Sequence, residues 1–210
     1  MGAAVGFDAL AARLIALPAG QRRIVAIAGA PGSGKSHVAE ALVARVNAAT
    51  PGRAALLPMD GYHYDDAVLK ALGRHARKGA PDTFDVGGLA AMLVRLRANA
   101  EDAIAVPVFD RSIEIARAGA RLIPQRVEVI VAEGNYLLLA APPWDRLAGL
   151  FDLTVRLDVA EDVLRQRLTG RWQGFGLTPA EIAVKLEAND LPNGRLVRSQ
   201  SRPADLVLAN

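Results

Sequence analysis

The chain has 210 residues, 51% of them hydrophobic, and a formal net charge of +3: enough apolar material for one buried core, too much for disorder, and too little charge to call for nucleic acid. It has no cysteine, which excludes disulfides and thiolate metal sites and suits a reducing compartment, here expected to be the cytoplasm. No apolar run approaches the ~20 residues of a membrane helix, and Met1 to Asp8 shows no basic region followed by an apolar core, so neither a membrane nor a secretion signal is expected.

Phe7, Leu10, Leu14 and Leu17 form one stripe and predict an amphipathic helix over 7–17, stopped by Pro18-Ala19-Gly20. A short apolar run, 23–28, reads as a buried strand. It runs into Gly29-Ala30-Pro31-Gly32-Ser33-Gly34-Lys35-Ser36, and Val38, Leu42 and Val46 then recur at helical spacing to about residue 48. Ala54 to Pro58 is a second strand, delivering Met59-Asp60-Gly61-Tyr62-His63 at its C-terminal end. Residues 65–76 and 86–99 read as helices, with a loop over 77–82 between them. The piece 104–109 is extended but broken by Pro107, which predicts an edge or hairpin position. Strands follow at 127–132, ending at Glu133-Gly134, and at 153–159. Helices are expected at 161–171 and 178–188, and a last strand at 204–208. Strands alternating with helices predict a parallel sheet covered on both faces, with ligands outside the carboxyl ends of the strands.

Residues 29–36 match G-x-x-x-x-G-K-[ST] at every fixed position, between a strand and a helix. Glycines let successive N–H groups curl inward at phosphate oxygens, and the helix start adds its positive end. Lys35 would reach the β- and γ-phosphates, and the Ser36 hydroxyl would hold Mg²⁺. Gly29 to Ser36, with His37 at the helix start, form the expected nucleotide site. Asp60 stands at the tip of a strand, where a carboxylate can orient a hydroxyl and take its proton, or can be a solvated cap. Glu133 ends an apolar run, where an acid can hold Mg²⁺ directly or through water, or can cap a helix over 135–140. Arg165, Arg167 and Arg171 lie among Gly170, Gly174 and Gly176, the composition of a mobile lid over about 165–190. Arg165 fits a solvated face; Arg167 and Arg171 are candidates to close on the transferring phosphate. Tyr62, His63, Phe84 and Asp110 are expected around the acceptor, with His63 either a proton carrier, a substrate hydrogen-bonder or structural. His37 and His75 are expected at the surface.

With these residues in place, the chain resembles the phosphoribulokinase/uridine kinase/pantothenate kinase family of P-loop kinases. The resemblance rests on Gly29 to Ser36, Met59 to His63, Pro107-Val108-Phe109-Asp110 and Val131-Ala132-Glu133-Gly134, and spans about residues 22 to 208. Arg77-Lys78-Gly79-Ala80-Pro81-Asp82-Thr83-Phe84-Asp85 looks most like the pantothenate kinase branch and the branch named as fructose-transport-system kinases, the latter the nearer. Lys78-Gly79 stand where uridine kinases carry an aromatic–acid pair, and Asp110 to Glu114 differ from the tyrosine-bearing loop of uridine and pantothenate kinases. The resemblance implies a P-loop three-layer α/β/α fold with a five-stranded, mostly parallel sheet, the loop strand central, and a small helical lid, all in one domain over 1–210. It implies ATP, Mg²⁺ and a small alcohol acceptor (sugar-like, nucleoside or pantothenate-like), with Asp60 as base, Glu133 as a magnesium-side acid and Arg167 or Arg171 as the lid arginine. No nucleic-acid or membrane partner is expected, and a homodimer is left open. The competing reading is a P-loop regulatory ATPase without an acceptor; Asp60 has no evident task there.

Overall fold

Residues 23–28 are buried from Ile24 to Ala28, and their side chains divide by parity, as the strand period requires. Ile24 and Ala26 join one apolar cluster with Leu57, Leu89 and Leu93, while Val25 and Ile27 join another with Leu10, Leu42 and Val46. A strand covered on both faces carries a continuous apolar run instead of an alternating one. The computed structural model describes residues 2–210 and has that strand near the centre of a sheet sandwiched between helices.

In chain order the elements are β1 (Ala3–Val5), α1 (Phe7–Ile15), β2 (Arg23–Ala28), α2 (Lys35–Ala49) and β3 (Ala54–Pro58). A 3-10 turn, Met59–Tyr62, leads to α3 (Asp66–Ala71), and two more, His75–Arg77 and Pro81–Thr83, lead to α4 (Val86–Ala98). Then come β4 (Ala103–Asp110), β5 (Ile115–Pro124), β6 (Val129–Gly134) and β7 (Leu153–Asp158). The chain closes with α5 (Glu161–Gly174), α6 (Pro179–Lys185), a π-helical segment Leu186–Asp190, α7 (Leu191–Gln200) and β8 (Leu206–Ala209). The main sheet is parallel throughout, in the order β1-β8-β7-β2-β6-β3. β4 and β5 form a separate antiparallel hairpin. Among the described residues no helix is long and apolar enough to cross a membrane.

The sheet has six strands, one more than expected. The extra strand is β1, which pairs with β8 and covers what would otherwise be an open edge. Three residues are too few to show a period in sequence. Pro107 does lie in a hairpin, at the point where the β4–β5 register shifts between Val106 and Val108. Its partner strand β5 is rich in Ala, Gly and Arg and mostly exposed, so it carries no apolar alternation. The expected helix over 65–76 is shorter, because Gly73 turns the chain at φ +66°. The helix ending near 188 instead passes through the π-helical segment into α7, with Pro192 as the second residue of α7.

Register fixes what lies together at the carboxyl edge. Ala28 of β2 pairs with Gly134 of β6, and Pro58 of β3 pairs with Glu133. The residues that follow β2, follow β3 and end β6 therefore share one rim. At the opposite edge Arg22, only 6% exposed, donates to four carbonyls: Val127 at 2.8 Å, Leu96 at 3.1 Å, Pro124 at 2.8 Å and Gln125 at 3.2 Å. This one guanidinium ties the end of α4 and the β5–β6 connection to the start of β2. Arg22→Met should cost about 3 kcal/mol of stability in urea unfolding, because it leaves buried acceptors unpaired, while ATP affinity at the far rim stays within about twofold of the parent.

Candidate active site

Residues 29–36 wrap the N-terminus of α2. Gly32 and Gly34 take φ of +78° and +83°, a left-handed conformation that only glycine adopts without strain. Ser33 closes the turn with its N–H on the Ala30 carbonyl at 3.1 Å. The Ser36 hydroxyl, in the first turn of α2, donates to Glu133 Oε2 at 3.1 Å. Glu133 is 4% exposed, and it caps no helix, since residues 135–140 form a turn.

Lys35, Asp60 and Glu133 form a charge triangle at the rim. Burial pushes Glu133 up to about 6, against the pull of Lys35. Burial also draws Lys35 below its ordinary range, with Glu133 and Asp60 opposing. Asp60 goes the other way. Burial would raise it, but His63, Lys35, Arg111 and Arg171 outweigh burial and hold the carboxyl below its usual range. The same rim thus carries one carboxylate made weakly basic and one made strongly so.

Asp60 sits in the 3-10 turn after β3, and that turn is close-packed. A Cβ on Gly61 would stand 2.6 Å from the Pro107 carbonyl oxygen, so glycine is what lets the hairpin approach. The hairpin brings Arg111, whose Nη2 donates to Asp60 Oδ2 at 2.9 Å. His63 Nδ1 lies 2.7 Å from the Asp60 carbonyl oxygen; a carbonyl only accepts, so Nδ1 carries the proton and Nε2 is left as the other ring nitrogen. The imidazole packs against Phe84 and Phe109, with centroids at 4.0 and 4.7 Å. Burial lowers its pKa, against the attraction of Asp60.

These groups line a cleft of about 410 Å³ between the phosphate loop, the hairpin and the α5–α7 segment. Pro31, Lys35, Asp60, His63, Phe84 and Arg171 line it as the sequence suggested. The other expected site residues lie elsewhere. Tyr62 is 7% exposed and packs in the core, its hydroxyl without a partner. Asp110 fixes the hairpin turn, accepting from the Ser112 hydroxyl at 2.6 Å and from Arg117 at 3.0 Å. His37 is exposed on the outer side of α2. Arg167 points at the outside of the phosphate loop, 3.4 Å from the Ser33 carbonyl oxygen. Arg165 pairs with Glu187 at 2.5 Å at the surface. His75 is exposed, as expected, and it also lines the cleft, 3.4 Å from Asp66.

Several lining residues had no sequence signal. Asn189 and Asn193 stand one turn apart on the π-helical segment and α7; Asn193 donates to Asn189 at 3.1 Å, and Asn189 to the Lys78 carbonyl at 3.2 Å. Asp190 accepts from Trp172 Nε1 at 2.7 Å. Asn135, just past β6, has a buried Oδ1 with no partner. Only the i, i+4 spacing of the two asparagines was available in advance, and it names no chemistry. A larger open depression, about 850 Å³ along the outer face of α5, contains no residue of the loop or of the strand tips.

No protein-family profile matches the chain. A Schizosaccharomyces pombe protein named as a candidate uridine kinase is 33% identical over 211 residues, covering 96% of this chain and 89% of its own. YggC of Escherichia coli, an uncharacterized protein, is 31% identical over 190 residues, 90% of this chain and 78% of its own. The crystal structure of a candidate fructose transport system kinase from Silicibacter sp. TM1040 matches with a TM-score of 0.86 and 38% identity, over 94% of this chain and 95% of that one.

The chain belongs to the phosphoribulokinase/uridine kinase/pantothenate kinase family of P-loop kinases. The kinase uses ATP, and its substrate is a small molecule that presents a hydroxyl group. Its charge triangle gives a pH test. A carboxyl whose pKa is raised on folding stabilises the fold below about 4.5 and loses that contribution as pH rises through about 6. Glu133→Gln should therefore raise the Tm of the nucleotide-free kinase above neutral pH, with the gain fading below pH ~5, read by thermal unfolding across pH.

Proposed function

We propose that this chain phosphorylates a small polyhydroxylated, sugar-like acceptor, with Asp60 receiving the proton of the attacking hydroxyl. The observation that carries the reading is the placement of Asp60 at the rim of the cleft, one strand over from Glu133 and beside Lys35, with a wall of aromatic and amide groups facing it.

The 29–36 loop and the N-terminus of α2 hold the nucleotide phosphates through backbone N–H groups, and Lys35 offsets the charge that gathers on the β–γ oxygens. Among the described residues no group of three or more His, Asp and Glu side chains converges as a ready-made metal site. The Ser36 hydroxyl and Glu133 carboxylate, 3.1 Å apart at the loop, do fit a cation that takes its remaining ligands from phosphate and water. Bound there, Mg²⁺ would neutralise phosphate charge and orient the nucleotide. Glu133 serves that site, directly or through water, and its raised pKa suits a group meant to meet a cation.

On the acceptor side, the His63–Phe84–Phe109 wall offers a face for a ring or carbon chain, and Asn135, Asn189 and Asn193 offer amides for hydroxyls. Asn135, whose buried Oδ1 has no partner within the protein, is one of these lining residues. We assign α5, α6 and the π-helical segment, about 165–190, as a lid within a single domain. Its apolar side chains cluster apart from the two cores that cover the sheet: Leu164, Leu168, Ile182 and Leu186 pack with Val159 and Leu191 and against Ala30 of the phosphate loop. Its cleft-facing arginine is Arg171, packed on the Trp172 ring at 5.2 Å, while Arg167 steadies the loop from outside. The cysteine-free composition suits work in the cytoplasm.

Asp60→Asn should lower acceptor-dependent ADP release about 10²–10⁴-fold and leave MgATP binding nearly unchanged. The assay is ADP release against a panel of sugars, sugar phosphates, sugar acids, pantothenate and nucleosides. Undiminished transfer in the variant removes Asp60 from the base role. ADP release that ignores every acceptor, equal in both proteins, replaces the kinase by a regulatory ATPase. Arg171→Ala should cost about 10³ in kcat, the scale of an arginine that meets the γ-phosphate. Arg167→Ala should act mainly on ATP KM, and the reverse pattern would exchange their roles.

A further inference from the structure

Arg111 lines the cleft, and the reading above gives it no task. It stands at the turn of the β4–β5 hairpin with its side chain about half exposed, and its hydrogen bond to Asp60 Oδ2, at 2.9 Å, is its only one among the described residues. The other cations of the cleft are otherwise engaged. Lys78 bonds Asp66 Oδ1 at 2.6 Å and also donates to the Glu114 carbonyl. Arg171 and Lys185 pack on the Trp172 ring at 5.2 and 5.4 Å. Arg111, which also lies over the Phe109 ring at 5.8 Å, is therefore the one cleft cation among the described residues that hydrogen-bonds the Asp60 carboxylate.

That pairing conflicts with the base role. A carboxylate held by a guanidinium is stabilised in its ionised form and is a weaker proton acceptor. The Asp60 side chain is only 20% exposed, so the interaction is poorly screened by water. A neutral hydroxyl arriving at Asp60 gives Arg111 no replacement partner. An anionic group does: the guanidinium fork fits carboxylate or phosphate oxygens two at a time. A cleft that already holds five cationic side chains (Lys35, Lys78, Arg111, Arg171 and Lys185) against four carboxylates (Asp60, Asp66, Glu114 and Asp190) can take such a group on the acceptor.

We propose that Arg111 is an exchangeable counter-ion, and that the acceptor carries a carboxylate or phosphate group that takes Arg111 from Asp60. This rests on Asp60 being the base. The exchange frees Asp60 only when an acceptor is in place. The acceptor hydroxyl then gives its proton to the Asp60 carboxylate, its oxygen bonds the γ-phosphorus, and the bridging P–O bond breaks with its electron pair leaving on ADP. In the absence of acceptor, the Arg111–Asp60 pair keeps water from taking the hydroxyl's place.

The test uses phosphite dianion as a stand-in for the anionic group, with MgATP and no acceptor. Phosphite should raise ADP release by the wild-type kinase about fivefold or more with saturation, since binding a remote substrate fragment is spent on the reacting centre. Arg111→Gln should start above the wild-type basal rate and not respond, and Arg111→Lys should respond at higher phosphite. A flat wild-type response, or an equal response in Arg111→Gln, overturns the proposal. Matched acceptors then separate the sources: glycerate against glycerol for a carboxylate, fructose 1-phosphate against fructose for a phosphate. The anionic member should have the higher kcat/KM, and Arg111→Gln should raise its KM more than it lowers kcat. A preference for a neutral member overturns the proposal, and a silent panel leaves the phosphite result to decide alone. Asp60→Asn, run alongside on the full acceptor panel, tells failure of the base assignment apart from failure of the exchange.

Discussion

One lysine between two carboxylates organises the rim of this protein. Lys35 is poorly solvated and would not keep its charge at low cost without Asp60 and Glu133 nearby. The two acids respond in opposite ways to the same burial. Glu133 has the Ser36 hydroxyl as its hydrogen-bond partner and is raised to about 6. Asp60 has His63, Lys35 and two arginines around it and is lowered. Separation of two pKa values within one site is what divides two roles between chemically similar groups. In the proposed mechanism one carboxylate meets a cation and the other a hydroxyl.

The sheet produces this triangle without any long-range search for partners. In a parallel sheet every strand ends at the same edge, so the loop that follows β2, the turn that follows β3 and the last residues of β6 arrive at the same rim. Both faces of the sheet are covered by apolar clusters, so a one-residue slip would put the wrong side chains into each core. Core packing thus locks the register, and the register sets the spacing of the chemistry. Arg22 pins the opposite edge through four carbonyls, a structural use of an arginine unlike the ones that face the cleft.

The second half of the site comes from parts that obey no such rule. The hairpin reaches Asp60 because Gly61 leaves room for Pro107. The π-helical segment turns Asn189 and Asp190 toward the cleft at the point where α6 passes into α7. Such widened turns inside helices recur at functional sites because they re-aim side chains without ending the helix. The wall of the cleft opposite the phosphate loop is therefore built from loops and helix irregularities, and the rim that carries the loop from the regular sheet.

This division explains what could be read in advance. The loop 29–36, the strands over 23–28 and 54–58, and the positions of Asp60 and Glu133 were legible because each depends on consecutive residues: glycines that take positive φ, a buried apolar run, a polar residue where the run stops. Arg167 and Arg171 were both candidates for a lid arginine, but they sit one helical turn apart, and only the seat of α5 against the loop sends one to Ser33 and the other into the cleft. Tyr62 and Asp110 were placed near the acceptor by sequence proximity, yet one is drawn into the core and the other into the hairpin turn. Arg111 meets Asp60 across 51 residues. Sequence determined the fold class and the phosphate-binding half, because local conformation and periodicity carry them. Tertiary structure alone decided the acceptor half, because those contacts depend on packing angles and close approaches between segments that no local pattern records.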